Sequence, residues 1–423
     1  MIALSIFLFS IFCIIFRPFG LGIGTCALVG AFLSLLSGTV SLADCLGAFS
    51  IVWDASLSFL GIIIFSLVLD EIGFFEHAAR QTALLCGKSL KRQFIGLMLL
   101  TAIISALFAN DAAVLILAPI ILAQAKMLSL NENSTLALLL ATGFMSDSAS
   151  LPFVFSNLTN IITAGFFDIS FWGYFSSLFV PFIFSVLASL LIAFYILRKN
   201  LSSNIDLNGL RANYQIIANK HLFIFCWMFL LLLLCGYALG DVYRLPFCVF
   251  ALGGSLVFLI ICLYLKVLKI KVILARTPWQ ILWFSLAIYI IVWGLKNEGY
   301  NEILNEILAY SQKLGELAFV MTSGLLASIL SSLMNNLPAM MMMDISLDLL
   351  GEFDEIKKAV FASIIGCNVG VKFTHFGSLA TLLWLYILRA KGQNISIKNY
   401  LIFSFKITLP VLVITLFAVY LFA

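Results

Sequence analysis

Four ionisable side chains stand inside otherwise apolar stretches of this chain: Asp111, Asp147, Lys372 and His375. Such groups are expensive in hydrocarbon and are usually paired or functional. A buried Asp111 or Asp147 that loads and releases a proton would carry protons through the cycle of the protein. A static pair, with Lys372 neutralising Asp147 or Asp111, explains the same residues. His375 has the chemistry to titrate near neutral pH, or to serve as a hydrogen-bonded packing residue. Around these four lie uncharged polar side chains: Asn110, Ser156, Asn157, Thr159, Asn160, Asn335, Asn336, Ser378 and Thr381, with Gly377 beside them. Amides and hydroxyls both donate and accept, so they suit a neutral or weakly charged, oxygen-rich solute. They also serve as glue between membrane helices. Cys367, in GCNVG, is the one cysteine placed in such an interruption. A single thiol there can meet a thiophilic solute but cannot trap it.

The elements that must position these residues are membrane helices. The chain has 423 residues, 63% hydrophobic and 10% charged, whereas about a quarter of a soluble domain is charged. Crossing helices are expected near residues 2–16, 21–37, 49–69, 136–165, 171–197, 222–239, 246–265, 279–295, 359–388 and 400–422, given the roughly 20 residues needed to span hydrocarbon. The first run has neither a preceding basic region nor a cleavage site, and is expected to be a retained helix. Two apolar segments, 94–125 and 318–343, are too long for one helix and are interrupted at Asn110-Asp111 and Asn335-Asn336-Leu337-Pro338. Both read as re-entrant hairpins. With the N-terminus outside, 17 of the 24 Lys and Arg residues fall in cytoplasmic segments and five in outer ones, as the positive-inside rule requires. The acids Glu298, Glu302, Glu306, Glu316 and Asp344 to Glu355 then lie outside, and both termini are periplasmic. The net charge of +4 is explained by this topology, not by nucleic acid. Nine scattered cysteines without a CxxC motif indicate neither a disulfide framework nor a metal site, and no cofactor is implied.

The same arrangement makes residues 1–197 and 222–423 equivalent, joined by a cytoplasmic linker at 198–221. Each half contains three helices, a hairpin, a long helix interrupted by polar residues and a final helix. The expected fold is an all-α polytopic membrane protein of two inverted repeats, with about ten transmembrane helices, two re-entrant hairpins and two broken helices. Asn110-Asp111 corresponds to Asn335-Asn336, and SNLTNI (Ser156 to Ile161) to GSLATL (Gly377 to Leu382). Inverted repeats of this kind place a solute site at the midplane, between discontinuous helices. Broken backbone is tolerated there only where protein or a wet cavity satisfies it, so the four interruptions imply one shared polar cavity. Free N–H groups at helix N-termini would add donors to it.

Six blocks carry a family resemblance: DEIGFFEHAA (Asp70 to Ala79), FANDAAVLILAPI (Phe108 to Ile120), ATGFMSDSASLPFVFSNLTNII (Ala141 to Ile162), VWGLKNEG (Val292 to Gly299), SSLMNNLPAMM (Ser331 to Met341) and GCNVGVKFTHFGSLATLLWL (Gly366 to Leu385). Together they resemble the arsenical pump membrane proteins, the bacterial arsenite and antimonite efflux permeases of the ion transporter superfamily. The polar positions match as well as the apolar ones, over nearly the whole chain. The resemblance implies inner-membrane efflux of trivalent arsenic and antimony as neutral hydroxides, in exchange for protons. Some members also work with a cytosolic arsenite-stimulated ATPase. A pyramidal trihydroxide can be held by Asn, Ser and Thr without a fixed counter-charge, and weak multiple contacts permit its release. In the last block the family pattern has an acid and two prolines where this chain has Asn368, Val371 and His375. One candidate proton carrier is thereby lost, and the break is expected to differ in shape.

Other readings stay open on the residues alone. A sodium/proton antiporter of the same architecture would use Asp111 and Asp147 alternately. A dicarboxylate carrier should have Ser-Asn-Thr at both hairpin tips, where this chain has Ala109-Asn110-Asp111 and Met334-Asn335-Asn336. A membrane subunit wholly dependent on a partner ATPase is a further reading, since no GxxxxGK[ST] motif occurs in this chain. No nucleophile and base at a recognisable spacing suggest an intramembrane enzyme. The stretch Glu71 to Arg92 is expected either as an amphipathic surface helix or as a solvated connector.

Overall fold

The computed structural model describes residues 1–201, 205, 207, 208, 220–375, 377–393 and 395–423. Most of the expected linker 198–221 lies outside the described residues. The described chain is all-α, without strands, and nine of its helices are long and apolar enough to cross a membrane.

Each expected interruption is a break in a helix. The segment 94–125 forms helices Leu90–Leu107 and Asn110–Met127, separated only by Phe108 and Ala109. The two arms pack on each other, and both touch helix Phe74–Cys86. The chain therefore folds back on itself at Phe108 and Ala109 as a helical hairpin. The segment 318–343 behaves alike: helices Glu316–Met334 and Asn336–Asp348 pack together and against Asn301–Lys313. Both supporting helices are amphipathic. Phe74–Cys86 buries Phe74, Phe75, Ala79 and Ala83, and the Glu71 to Arg92 stretch is thus largely helical. Asn301–Lys313 buries Leu304 and Leu308 and exposes Glu302 and Glu306; its acidic residues read as an outer loop in the sequence, which hid its apolar face.

The expected span 136–165 consists of Glu132–Ser148 and Leu158–Phe166, and 359–388 of Phe353–Val369, a 3-10 turn Gly370–Phe373, and Leu379–Ala390. Apart from the short helix Ile270–Arg276, the order of helices in 2–197 resembles that in 220–422, including an amphipathic helix before each pair of antiparallel arms. Helices of the two stretches interlock: Leu42–Glu71 packs on Phe247–Tyr264 and on Gln280–Asn297. Asp54, an acid inside the third helix, has a structural task here. Its carboxylate accepts the N–H groups of Phe247 and Cys248, at 3.0 and 2.8 Å, and so satisfies the start of helix Phe247–Tyr264, whose own N-cap Pro246 makes no such bond.

Two glycines lie directly against the backbone of a neighbouring helix. A Cβ on Gly61 would meet the backbone of Ala251 and Leu252 at 2.5 Å, and one on Gly366 would meet the Gly324 carbonyl oxygen at 2.2 Å. Backbone cannot step aside as a flexible side chain does. Gly61→Ala and Gly366→Ala should each destabilise the protein by about 1–3 kcal/mol, seen as a lower thermal midpoint in detergent. Gly253→Ala, where nothing lies within 4 Å, should leave that midpoint nearly unchanged.

Candidate functional site

Three of the four breaks meet at one buried ion pair. Asp147 is the penultimate residue of Glu132–Ser148, and Lys372 belongs to the 3-10 turn of the second broken helix. Their side chains form a salt bridge, with Asp147 1% and Lys372 3% exposed. Burial of this kind is tolerated only when further hydrogen bonds support the pair, and each partner has one. Asn110 Nδ2 donates to Asp147 Oδ1 at 2.5 Å, and Lys372 Nζ donates to Thr381 Oγ1 at 2.7 Å. Asn110 heads the return arm of the first hairpin, and its Oδ1 accepts the Asp111 N–H at 2.8 Å, which fixes the amide orientation. Ser404 donates to the Lys372 carbonyl, and so ties the turn to helix Ile397–Phe422. The static pairing of Lys372 with Asp147 is therefore the arrangement observed. Asp111 makes no ion pair among the described residues.

A neutral counterpart joins the breaks a second time. Asn368, penultimate in Phe353–Val369 as Asp147 is in Glu132–Ser148, donates to Asn160 Oδ1 at 2.7 Å and accepts from Asn157 Nδ2 at 2.5 Å. Thr159 Oγ1 lies 3.4 Å from the same Asn368 oxygen. Asn160 Nδ2 in turn donates to the Ser150 carbonyl at 2.9 Å, a group freed by the break itself. These amides repair backbone that has no water to turn to. Asn368 figures in the sequence only as a departure from the family pattern; its position as a hub needs the crossing of two distant segments.

Between the clusters lies a narrow cleft with about 30 Å³ of free space. Its polar lining is Asp111, Asn157, Thr159, Asn335, Asn336 and Ser378, and its apolar walls include Phe59, Leu158, Ile281 and Phe284. Both hairpin tips and both breaks thus contribute. Asn335 has φ 83° and ψ 153°, a conformation that costs a residue with a side chain on the order of 1–3 kcal/mol and concentrates at functional sites. It is held by its own side chain, which accepts the Leu337 N–H, and by the bond from Asn336 N to the Gly377 carbonyl at 3.0 Å.

The other candidates stand outside the cleft lining. Asn110, Asp147, Lys372 and Thr381 form the ion-pair cluster behind it, and Asn160 the amide cluster. Ser156 donates to the Ala106 carbonyl at 2.8 Å, fastening the first break to the first hairpin. Gly377 supports the second hairpin tip through its carbonyl. Cys367 is fully buried, its sulfur facing the Ala327 carbonyl at 3.8 Å, and it is not part of the cleft lining. His375 is partly buried in the second break and does not line the cleft. Asp344 was expected among the outer acids. Instead it is 1% exposed and accepts a bond from Thr163 at 2.9 Å. The expected hairpin ended at 343, one residue short of it, whereas the arm runs to Asp348.

The chain matches the family model described as arsenical pump membrane protein over residues 2–423. It is 39% identical over 420 residues to the arsenical pump membrane protein of Escherichia coli (strain K12), covering 99% of this chain and 98% of that one. The protein of that name from Shigella flexneri gives the same values. The one from Yersinia enterocolitica is 37% identical over 419 residues, with 99% and 98% covered.

Replacing Lys372 by Met leaves Asp147 buried without its cation, a loss of about 3–5 kcal/mol. The thermal midpoint of Lys372→Met in detergent should fall well below that of the parent chain. Combining it with Asp147→Asn should recover part of the loss, because the unpaired charge is then gone.

Proposed function

Because the chain belongs to the arsenical pump membrane protein family, we propose that it expels trivalent arsenic and antimony from the cell as neutral hydroxides, in exchange for protons, through the cleft at its centre. The observation that carries this reading is the cleft lining. Amides and hydroxyls from both hairpins and both breaks surround a small space, and Asp111 is the one carboxyl among them. A neutral trihydroxide needs donors and acceptors and no counter-charge, which Asn157, Thr159, Asn335, Asn336 and Ser378 offer. Antimonite shares that hydroxide form.

Asp111 is the exchangeable group in this scheme. The centre holds two carboxyls, Asp111 and Asp147, and one ammonium, Lys372. It is neutral when one carboxyl carries a proton, and Asp147 is committed to Lys372. Asp111 therefore takes the proton from one side, and gives it up on the other as the hydroxide binds. Exchange of a neutral solute for a proton moves one positive charge inward per cycle, so the membrane potential adds to the drive. The recurring element order supports a reading as two inverted repeats, 1–197 and 222–423, that rock about this cleft. Orientation by the positive-inside rule places both termini in the periplasm of an inner-membrane protein.

Arsenite uptake into everted vesicles, with a proton gradient, a sodium gradient and ATP supplied separately, tests the scheme. Proton-driven uptake is expected, and Asp111→Asn should lower it by about tenfold or more, as removal of an essential intramembrane acid does. Undiminished uptake in Asp111→Asn removes that residue as the carrier. Sodium-dependent proton movement without arsenite uptake favours the antiporter, and uptake only with ATP and a partner subunit favours the ATPase-dependent channel.

A further inference from the structure

Asp344 is the buried carboxyl that the scheme above leaves unused. It lies on the return arm Asn336–Asp348, eight residues beyond the tip, or about 12 Å along the helix axis. Thr163 Oγ1 reaches both its oxygens, at 2.9 and 3.2 Å, and no ion pair involves it among the described residues. Every element packed against this arm is accounted for. Helix Phe353–Val369 presents Cys367 and Gln280–Asn297 presents Tyr289, both within electrostatic reach of Asp344, while their lysines are engaged elsewhere, Lys357 over the Phe361 ring, Lys358 with Glu316 and Lys296 over the Trp293 ring. Asp348 lies on the same arm. Helix Asn301–Lys313 turns Glu302, Glu306, Tyr310 and Lys313 to the exposed side. Its Asn301 bonds the Met342 carbonyl and Ser346. The only ionisable residue of Glu316–Met334 is Glu316, paired with Lys358. Leu158–Phe166 brings Thr163 and nothing ionisable. Among the described residues, no cation is paired with Asp344.

Thr163 belongs to the half-helix that follows the first break. Leu158 and Thr159, at its start, line the cleft. Its opposite face, with Ile161, Ala164 and Gly165, borders a separate vestibule of about 520 Å³ that also reaches Asp54 and Asp168. A Cβ on Gly165 would meet nothing within 4 Å. The half-helix thus has a polar contact on one side and free space on the other, with a break at its root. At the corresponding positions of the other half stand Pro119 and Trp384, so the polar contact exists on one side of the cleft only.

We propose that Asp344 is a second proton-bearing carboxyl of this transporter, and that its bond with Thr163 latches half-helix Leu158–Phe166 to the second hairpin. Closed, the carboxylic acid sits against the Thr163 hydroxyl, away from water. Opening moves the half-helix into the vestibule and admits water; the acid then gives its proton to water, leaving a carboxylate and a hydronium ion. The carboxylate cannot be reburied without a cation, so the latch stays open until a proton returns. The proposal rests on the proton-coupled reading above, in which Asp111 governs the cleft itself.

Hydrogen–deuterium exchange of the full chain in lipid nanodiscs, corrected for intrinsic rates, tests the latch without any transport. Between about pH 6 and about pH 8.5, exchange over 158–166 should rise roughly fivefold or more in the parent chain as the latch opens. Asp344→Asn, which keeps the shape and the Thr163 contact but cannot ionise, should show no such rise. Thr163→Val should exchange faster at both pH values. Identical profiles in the parent chain and Asp344→Asn overturn the proposal whatever the transport result. If the profiles differ as expected but the parent chain shows no proton-driven arsenite uptake, the coupling reading fails and the latch stands.

Discussion

The salt bridge between Asp147 and Lys372 is the contact around which the centre of this protein is built. Its partners come from two helices more than two hundred residues apart in sequence, and each ends at a break. A lone charge in hydrocarbon costs several kcal/mol, so neither residue can sit where it does without the other. Pairing them brings the end of Glu132–Ser148 against the turn Gly370–Phe373, and Asn110 and Thr381 follow because the pair has valences left to fill. The first hairpin tip and the start of Leu379–Ala390 are thereby located to within hydrogen-bond distance.

With that crossing in place, the rest of the polar inventory divides by task. Asn157, Asn160 and Asn368 satisfy one another and the carbonyls released at the first break. Residues between the two clusters are left with unspent polar capacity facing a cleft, and Asp111 is among them. The division follows from where each side chain falls relative to the break, not from its chemical type. Asn157 and Asn160 are amides three residues apart that both bond Asn368, yet only Asn157 also lines the cleft, while Asn160 reaches the Ser150 carbonyl.

Much of the architecture was legible from hydropathy. A helix in lipid must hold its own hydrogen bonds, so an apolar run of given length has few alternatives to a span, and Asn, Asp or Pro at its centre marks a break. The segments 94–125 and 318–343 accordingly each form two packed helices broken at the expected residues. Asn301–Lys313 escaped because its polar face dominates its composition. Asp344 escaped because a charge at the edge of an apolar run reads as its end, whereas the arm continues and buries it against Thr163. The solute list from sequence was broader than the cleft. Ser156, Cys367 and Thr381 sit at the right breaks but point at the Ala106 carbonyl, the Ala327 carbonyl and Lys372.

The sequence by itself determined that this is an all-helical membrane protein, where its helices break, and which polar residues gather at the breaks. Those properties follow from local transfer energies and backbone satisfaction, which depend on neighbours in the chain. Only the tertiary structure decided which acid is paired. Asp111 and Asp147 are equivalent in a sequence, each a carboxylate beside small polar residues in an apolar run. Asp147 meets Lys372 and Asn110, Asp111 faces the cleft, and Asp344 is closed off with a hydroxyl. The reason is that pairing is set by distances between residues far apart in the chain, and those distances exist only once the two broken helices have crossed.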